Sequence, residues 1–316
     1  MHADRIRKGE PPMKKKGLST MIVGKFKSIQ SVIFATVAFL VLSAVVIVTG
    51  VSMRFTNNSI FENSSEYTHT IIQQMNQNID SYIDYMENIA YLISSSEDVQ
   101  DYLFDDEIDN EGRYRILNQF ETILDSRSDI RNVGIISKNG RMLINDGKKS
   151  VNSDLDLNTQ EWYTQALDSP EGPMLTSSHV QHIISGERPW VITLSRGIRD
   201  REGSGEKEGV FFIDLNYSAI SELCDQSTVG TKGYAFILDA RGNIVYHPQQ
   251  QLIYSGLKEE KGMDLKEGTH IQEQAIYTVK NLENCDWKIV GVCYVDEMIT
   301  EKVSSAVSRL LIVLCL

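Results

Sequence analysis

The sequence is poor in the residues that mark a disulfide-stapled or zinc-bound protein. Its 316 residues include four cysteines, Cys224, Cys285, Cys293 and Cys315, and no two of them form a C-x-x-C pair. Structural zinc sites and thiol redox centres use closely spaced cysteines, so the sequence argues against both. We expect buried free thiols, with a bridge between Cys285 and Cys293 outside the cell as the alternative.

The chain also lacks a recognisable catalytic constellation. It contains no G-x-S-x-G element, H-E-x-x-H motif or kinase loop. The glycine-rich segment 203–209 lies among charged residues in a hairpin loop, whereas a phosphate cradle joins a strand to a helix. His179 and His182 would point to opposite sides of a strand, which argues against a metal site. We expect no cofactor and no metal, and a surface enzyme on a membrane stalk is the weakest functional alternative.

Positive charge is scarce except at the N-terminus. Residues 1–30 contain eight Lys or Arg against two Asp or Glu, a net charge of +6, whereas the whole chain carries −12 and the remainder therefore −18. Residues 31–53 are uncharged, and 23 residues at about 1.5 Å each exceed the roughly 30 Å of a bilayer's hydrocarbon core. Since basic residues beside a first span stay in the cytoplasm, we predict a cytoplasmic tail, a transmembrane helix over 31–53 and an extracytoplasmic region over 54–303.

A cleaved signal peptide is the alternative to an anchor, because it also has a basic start. Its apolar core is about 7–15 residues long and ends at a small-x-small site. The apolar run here is longer and residues 50–53 are a poor site, which favours an uncleaved anchor with membrane lipid as a partner. The acidic remainder of the chain argues against nucleic acid as a partner.

Apolar side chains recur every seven residues in the polar segment that follows the span. The repeat, which falls on one stripe of a helix, comprises Ile72, Met75, Ile79, Tyr82, Met86, Ile89 and Ile93. We predict extracytoplasmic stalk helices over 54–126. The upper part of the stripe should pack on the chain's own sheet. The part near the membrane could pair with a second subunit, with Ile72, Ile79 and Met86 as the candidate seam of a homodimer.

From residue 131 the apolar period changes from about 3.6 to 2, which indicates a sheet. Turn residues divide the rest of the chain into two units with the same order of elements. Predicted strands of the first unit cover 131–137, 141–144, 174–180, 189–198 and 210–215, with helices over 156–168, where Asn158 is the expected N-cap, and 217–224. Predicted strands of the second unit cover 234–238, 243–247, 274–280 and 287–294.

These elements predict an α+β fold in which a membrane-anchored long N-terminal helix precedes two antiparallel-sheet units. The membrane-distal unit should cover residues 127–226 and the membrane-proximal unit residues 227–298. The last residues turn apolar after Arg309, which predicts the start of a second transmembrane helix, cut short, within 299–316. The protein would then be a multi-pass protein of the cell membrane.

Two aromatic side chains and one carboxylate form the most suggestive candidate site. Trp162 and Tyr163 lie on the predicted short helix, and Asp214 ends an apolar run on the last strand of the first unit. Aromatic rings beside an acid can bind a small molecule, the rings giving contact area and the acid fixing orientation. The alternative is that Trp162 is a core residue and that Asp214 caps the helix beginning near Tyr217.

The order of these parts resembles the extracytoplasmic double Cache sensor of bacterial transmembrane receptors, over residues 31–316. The resemblance rests on the W-Y pair at 162–163, G-V-F-F-I-D-L at 209–215, G-Y-A-F-I-L-D-A-R-G-N-I-V-Y-H-P at 233–248 and D-W-K-I-V-G-V at 286–292. In its overall sequence pattern the chain looks most like the sensor part of YesM-type histidine kinases of Firmicutes. That resemblance implies two PAS-like units, a ligand in the distal one, and a kinase region after the second span. A methyl-accepting chemotaxis receptor is the alternative output.

The resemblance also implies which residues contact the ligand. Family members that bind amino acids place an Arg two residues before the Trp of the W-Y pair, to hold the ligand carboxylate, and an Asp on the last distal strand for its amine. Trp162, Tyr163 and Asp214 match this pattern, but Gln160 stands at the Arg position and cannot supply a charged fork. An amine or a sugar on a binding protein is thus as well supported as an amino acid or organic acid. Ser178 is a further candidate contact.

Overall fold

The computed structural model describes residues 29–105, 107, 109–145, 148–169, 172–200, 207–225, 229, 233–272 and 275–294. The described part of the chain divides into two compact parts with the boundary after residue 59, and both sheets belong to the part that begins at residue 60. The predicted second transmembrane helix, and the predicted cytoplasmic tail up to residue 28, lie outside the described residues.

The first helix, α1, spans Ile29–Ser94. Its segment Ile29–Phe55 is long and apolar enough to cross a membrane, and no residue of its most apolar 18-residue stretch is buried. Large apolar side chains such as Phe34 and Phe39 are exposed there, as they would be against lipid. A candidate transmembrane helix therefore lies where the sequence predicted one, two residues longer at each end.

The strands of the first sheet are β1 (Ile130–Ser137), β2 (Met142–Ile144), β3 (Met174–Leu175), β4 (His179–Val180), β5 (Trp190–Arg199) and β6 (Lys207–Asn216). Their order is β2-β1-β6-β5-β3, with β4 also paired to β5, and every pairing is antiparallel. Four helices accompany this sheet: α2 (Glu97–Phe104), α3 (Asn110–Ser126), α4 (Glu161–Asp168) and α5 (Tyr217–Asp225).

The elements of the second sheet are β7 (Tyr234–Leu238), β8 (Ile244–Tyr246), helix α6 (Gln250–Tyr254), β9 (Gly268–Gln272), β10 (Ala275–Asn281) and β11 (Lys288–Tyr294). The strand order is β8-β7-β11-β10-β9, and every pairing is antiparallel. A long N-terminal helix followed by two antiparallel sheets confirms the predicted α+β fold class. We call the first sheet with its helices the first unit and the second sheet with α6 the second unit.

The apolar stripe of α1 packs on these sheets and forms the main core. Ile72, Ile79 and Met86 are fully buried there. A Cβ added at Gly291 of β11 would clash with the Ile72 side chain, so the helix lies directly on the second sheet. The predicted homodimer seam at these three residues is therefore wrong, because the chain's own sheets occupy that face.

Strand β6 separates the two cores of the first unit, because successive side chains of a strand point to opposite faces of its sheet. Phe211 and Ile213 face the core that contains α1, whereas Val210 and Phe212 face a smaller core with Trp162. The smaller core thus lies on the side of the sheet that carries the candidate site.

Three local predictions were wrong. The single strand predicted over 174–180 is two strands of two residues each, β3 and β4. The predicted N-cap Asn158 lies inside a 3-10 turn, Leu157–Thr159, which Asp156 caps by accepting a hydrogen bond from the N–H of Asn158 at 3.0 Å, and the N-cap of α4 is Gln160. Strand β9 was missed because it is an edge strand with mostly exposed residues and no apolar alternation to reveal it. Among the described cysteines, Cys285 and Cys293 do not form the disulfide considered as an alternative.

Candidate functional site

A cavity of about 420 Å³ lies where α4, the segment 174–180 and the second unit meet. Three of the five candidate residues line it: Gln160, Trp162 and Ser178. Asn243 and Tyr254 of the second unit complete the wall. The cavity is large enough for a small-molecule ligand, since such pockets measure roughly 300–1,000 Å³. We call it the α4 cavity.

Trp162 is placed by α4 and fixed by the smaller core. Its side chain is 1% exposed, and its ring centroid lies 4.8 Å from that of Phe212 and 5.9 Å from that of Tyr163, which meets it edge-on. Ser195 on β5 donates a hydrogen bond to the Trp162 carbonyl oxygen at 2.7 Å. The indole N–H finds no hydrogen-bond partner among the described residues. Trp162 is therefore both a core residue and part of the cavity wall.

Asp214 does not line the α4 cavity but lies behind its wall. The carboxylate accepts hydrogen bonds from Thr193 Oγ1 at 2.6 Å, Asn132 Nδ2 at 2.7 Å and Gln181 Nε2 at 3.0 Å. All four side chains are buried, and burial raises the pKa of Asp214 above its usual value although the three hydrogen bonds act to lower it. None of these partners belongs to α5, so the alternative role as a helix cap is wrong.

A chain of side chains connects Asp214 to the cavity. His179, which lines the cavity, has its Nε2 3.3 Å from Thr193 Oγ1, and the same hydroxyl donates to Asp214. A second branch runs through Asn132, whose Oδ1 accepts from Asn145 Nδ2 at 3.0 Å. The carboxylate can thus respond to an occupant of the cavity only through two intervening side chains.

The remaining candidates have distinct positions. Gln160 is half-buried and donates from Nε2 to Thr159 Oγ1 at 2.9 Å. Ser178 donates to the carbonyl oxygen of Ile244 at 3.3 Å and accepts from Gln250 Nε2 at 2.6 Å, both in the second unit. Tyr163 supports the Trp162 ring from behind, and burial raises the pKa of its phenol. The structure therefore brings Gln160, Trp162 and Ser178 to one cavity and leaves Tyr163 and Asp214 outside its wall.

Sequence reasoning missed the residues that join the two units at this cavity. Ser177 donates to Asp239 Oδ2 at 2.6 Å, and Arg241 forms an ion pair with Glu161 of α4 at 2.5 Å. The same Asp239 carboxylate accepts from the backbone N–H of Asn243 at 2.8 Å and fixes the tight turn before β8. The Asp-Ala-Arg-Gly turn was visible in the sequence, but nothing there showed that it faces α4.

Two sheets of PAS-like order behind a long helix, with a ligand-sized cavity against the first, define a sensor-type fold. A family model described as Cache domain matches residues 56–303. The match covers well over half of the chain, so the chain belongs to the Cache domain family. It is the sensor region of a transmembrane receptor.

Two curated relatives are chemotaxis receptors. Methyl-accepting chemotaxis protein McpC of Bacillus subtilis is 32% identical over 104 residues, which are 33% of this chain and 15% of the relative. Methyl-accepting chemotaxis protein PscA of Pseudomonas syringae pv. tomato is 21% identical over 174 residues, 51% of this chain and 27% of the relative. The chain thus spans about a quarter or less of the length of these relatives.

Among solved structures, the ligand-binding domain of the Pseudomonas aeruginosa amino-acid chemoreceptor PctB, in complex with L-arginine, is similar with a TM-score of 0.60. The sequence identity is 18%, and the match covers 79% of this chain and 98% of that domain. At this identity the similarity shows the fold, including both sheets, and does not carry over the ligand.

Proposed function

We propose that the Cache region of this chain lies outside the cytoplasm and detects a small molecule that binds in the α4 cavity. The observation that carries the proposal is that Gln160, Trp162 and Ser178, named as candidates from the sequence, line one cavity of ligand size. That solved relatives are complexes with amino acids supports a small molecule as the class of ligand. A ligand-loaded binding protein remains the other partner proposed from the sequence.

In this proposal the five candidate residues have four different roles. Trp162 offers the apolar platform, and Gln160 and Ser178 offer polar contacts at its sides. Tyr163 holds the indole ring in place. Asp214 acts at a distance by orienting Thr193 and, through it, His179. The site therefore depends on a buried polar layer behind the residues that touch the ligand.

Placing a cation at position 160 should shift the ligand preference. Gln160→Arg is expected to favour carboxylate-bearing ligands by about 10- to 150-fold over the unchanged chain, since a charge-assisted hydrogen bond contributes roughly 1.5–3 kcal/mol. The measurement is a thermal-shift titration of the full chain in detergent with succinate, L-isoleucine and putrescine. Gln77→Arg, at an exposed position of α1, is the matched control. An identical ligand profile for Gln160→Arg and Gln77→Arg would remove position 160 from the site.

The proposed topology follows from the net charge of +6 before the first span and −18 after it. A reporter that is active only outside the cytoplasm, fused after Asn57, is expected to be active. The same reporter fused after residue 28 should be silent. Activity of the second fusion in place of the first would reverse the orientation of α1.

The output of the whole protein is a separate proposal. The curated relatives favour a methyl-accepting chemotaxis receptor. The overall sequence pattern, in contrast, resembles that of YesM-type histidine kinases. The gene sequence after codon 316 distinguishes them: a His-bearing helical hairpin with an ATP-binding domain indicates the kinase, and long methylatable helices indicate the chemoreceptor.

We also propose that the protein is a homodimer, now with a different seam on α1. Because Ile72, Ile79 and Met86 are buried in the chain's own core, the seam has to use the opposite, exposed side of the helix. Tyr67 and Leu92 are exposed there by 51% and 68%. Small shifts between paired helices of this kind are an established way to carry a binding event through a membrane.

A further inference from the structure

We propose that the α4 cavity is a site shared by both units and that it takes an uncharged, polyhydroxylated molecule, a sugar or polyol. The inference rests on the proposed function and adds the chemical class of the ligand and two contact residues, Asn243 and Tyr254. It is carried by the charge, the hydrogen-bonding state and the aromatic groups of the cavity wall.

The charges of the wall do not suit an ionic ligand. Among the described residues that line the cavity, the ionisable side chains are Glu161, His179 and the phenol of Tyr254. Glu161 already pairs with Arg241 at 2.5 Å, so a cationic ligand would have to displace that guanidinium. No Lys or Arg is among these described wall residues, so a carboxylate would lose its hydration without gaining a cationic partner. Both considerations favour a neutral ligand.

The hydrogen-bonding groups of the wall are mostly acceptors. The hydroxyl protons of Thr159, Ser177 and Ser178 are donated to other protein groups, which leaves their oxygen atoms to accept. The amide nitrogens of Gln160 and Asn243 each give one N–H to Thr159 and Asp239, so each side chain can still offer its second N–H and its carbonyl oxygen. A ligand that fits this wall has to bring several donors and also accept, as the hydroxyl groups of a polyol do.

One buried polar atom of the cavity wall lacks a partner among the described residues. It is the indole N–H of Trp162, a donor. Buried polar groups in native proteins are nearly always hydrogen-bonded, so such an atom requires an explanation. A ligand hydroxyl group can accept from this N–H, whereas an ammonium group can only donate.

Aromatic rings supply the surface on which the C–H faces of a sugar ring would stack. Trp162 lines the cavity from the first unit, and Tyr254 lines it from α6 of the second. Tyr254 is 57% exposed and its ring lies 5.3 Å from that of Trp190, which pairs with the cavity residue Val180 between β5 and β4. An exposed pair of large rings beside a polar cavity gives contact area to an amphipathic ligand.

The wall also links the two units directly. Asn243 is held by Asp239, which in turn accepts from Ser177 of the first unit. An occupant in contact with both Trp162 and Tyr254 therefore bridges the units at the place where they are already hydrogen-bonded. Occupation of the cavity should restrain the second unit as well as the first.

The experiment titrates the full 316-residue chain in lipid nanodiscs with maltose, D-glucose, myo-inositol, L-isoleucine, L-glutamate and putrescine, and follows the thermal midpoint. We expect at least one of the first three probes to raise the midpoint and the last three to leave it unchanged. Tyr254→Ala should weaken that binding about tenfold or more through lost stacking, as the removal of about 1.4 kcal/mol would. Trp162→Phe, which keeps a ring and removes the N–H, should weaken it by a similar factor. Tyr114→Ala, at another exposed tyrosine, is the matched control and should bind normally.

The outcomes separate this inference from the proposed function. Binding of L-isoleucine, L-glutamate or putrescine alone, sensitive to Trp162→Phe, overturns the polyol inference and keeps the small-molecule sensor. Binding of a sugar or polyol that Tyr254→Ala leaves unchanged overturns the shared site. No binding by any probe, in a chain that still unfolds cooperatively, counts against both.

Discussion

Asp214→Ala is expected to destabilise the Cache region by at least about 3 kcal/mol. The substitution leaves Thr193, Asn132 and Gln181 as buried donors without their acceptor, and each such group costs about 1–3 kcal/mol. The loss is large beside a typical total stability of about 5–15 kcal/mol. Urea unfolding of the full chain in detergent, followed by tryptophan fluorescence, measures it.

The matched control for this substitution is Asp168→Ala, at an exposed carboxylate near the end of α4, which should change stability by no more than about 0.5 kcal/mol.

The loss of stability in Asp214→Ala should also depend on pH. Because burial raises the folded-state pKa of Asp214 above its unfolded value of about 4, its ionisation favours the unfolded state. The stability that Asp214 contributes therefore falls as pH rises from about 4 through the raised pKa, and the effect of Asp214→Ala should be largest at acidic pH. Equal stability of Asp214→Ala and Asp168→Ala at every pH would contradict a stabilising role for the buried hydrogen bonds of Asp214.

Ile79→Ala is expected to cost about 2–5 kcal/mol, the range for truncating a fully buried aliphatic side chain. Ile79 lies on the face of α1 that packs on the sheets, between two residues that bind the second unit. Asn76 donates to the carbonyl oxygen of Asn281 at 2.9 Å, and Asp80 accepts from the backbone N–H of Asn284 at 3.0 Å. These polar contacts hold the helix in register, so the site can collapse only partly around the missing atoms.

Gln77→Ala, on the exposed side of α1, is the control and should be neutral within about 0.5 kcal/mol.

Cysteine cross-linking in membranes distinguishes a core role of Ile79 from a role in a dimer interface. Ile79→Cys should give no intersubunit disulfide, whereas Leu92→Cys should cross-link in the proposed homodimer. Efficient cross-linking through Ile79→Cys would restore the seam that the structure assigns to the core.

The two substitutions address different parts of the proposed signalling path. Asp214 lies behind the wall of the α4 cavity and connects to it through Thr193 and His179, and Ile79 belongs to the main core, which contains residues of α1 and of both units. Under the proposed function, binding in the α4 cavity can reach α1 because the second unit both contributes Tyr254 to the wall and packs on the helix. A small change in the way the units pack would then move α1.

The long helix, the candidate membrane span, the α+β class and the position of most strands could be predicted from the amino-acid sequence. These features depend on local periodicity, because an apolar repeat of 3.6 residues in a helix or of 2 residues in a strand involves only neighbouring residues. Strand β7 was predicted with both its ends. Candidate residues Trp162 and Asp214 were found for a similar reason, as an aromatic pair and a charge within an apolar strand.

The contacts of those residues became known from the folded chain. Asp214 is held by donors that are 82, 33 and 21 residues away in the chain, so its role behind the wall could not be inferred from its neighbours. Tyr254 lies in a short helix that no apolar period marks, and it meets Trp190 only because the two units pack together. The stripe on α1 shows the same limit, since an apolar helix face requires a partner surface but does not state whether a sheet of the same chain or a second subunit provides it. Burial against β11 answered that question, because packing is a property of surfaces brought together from distant parts of the chain.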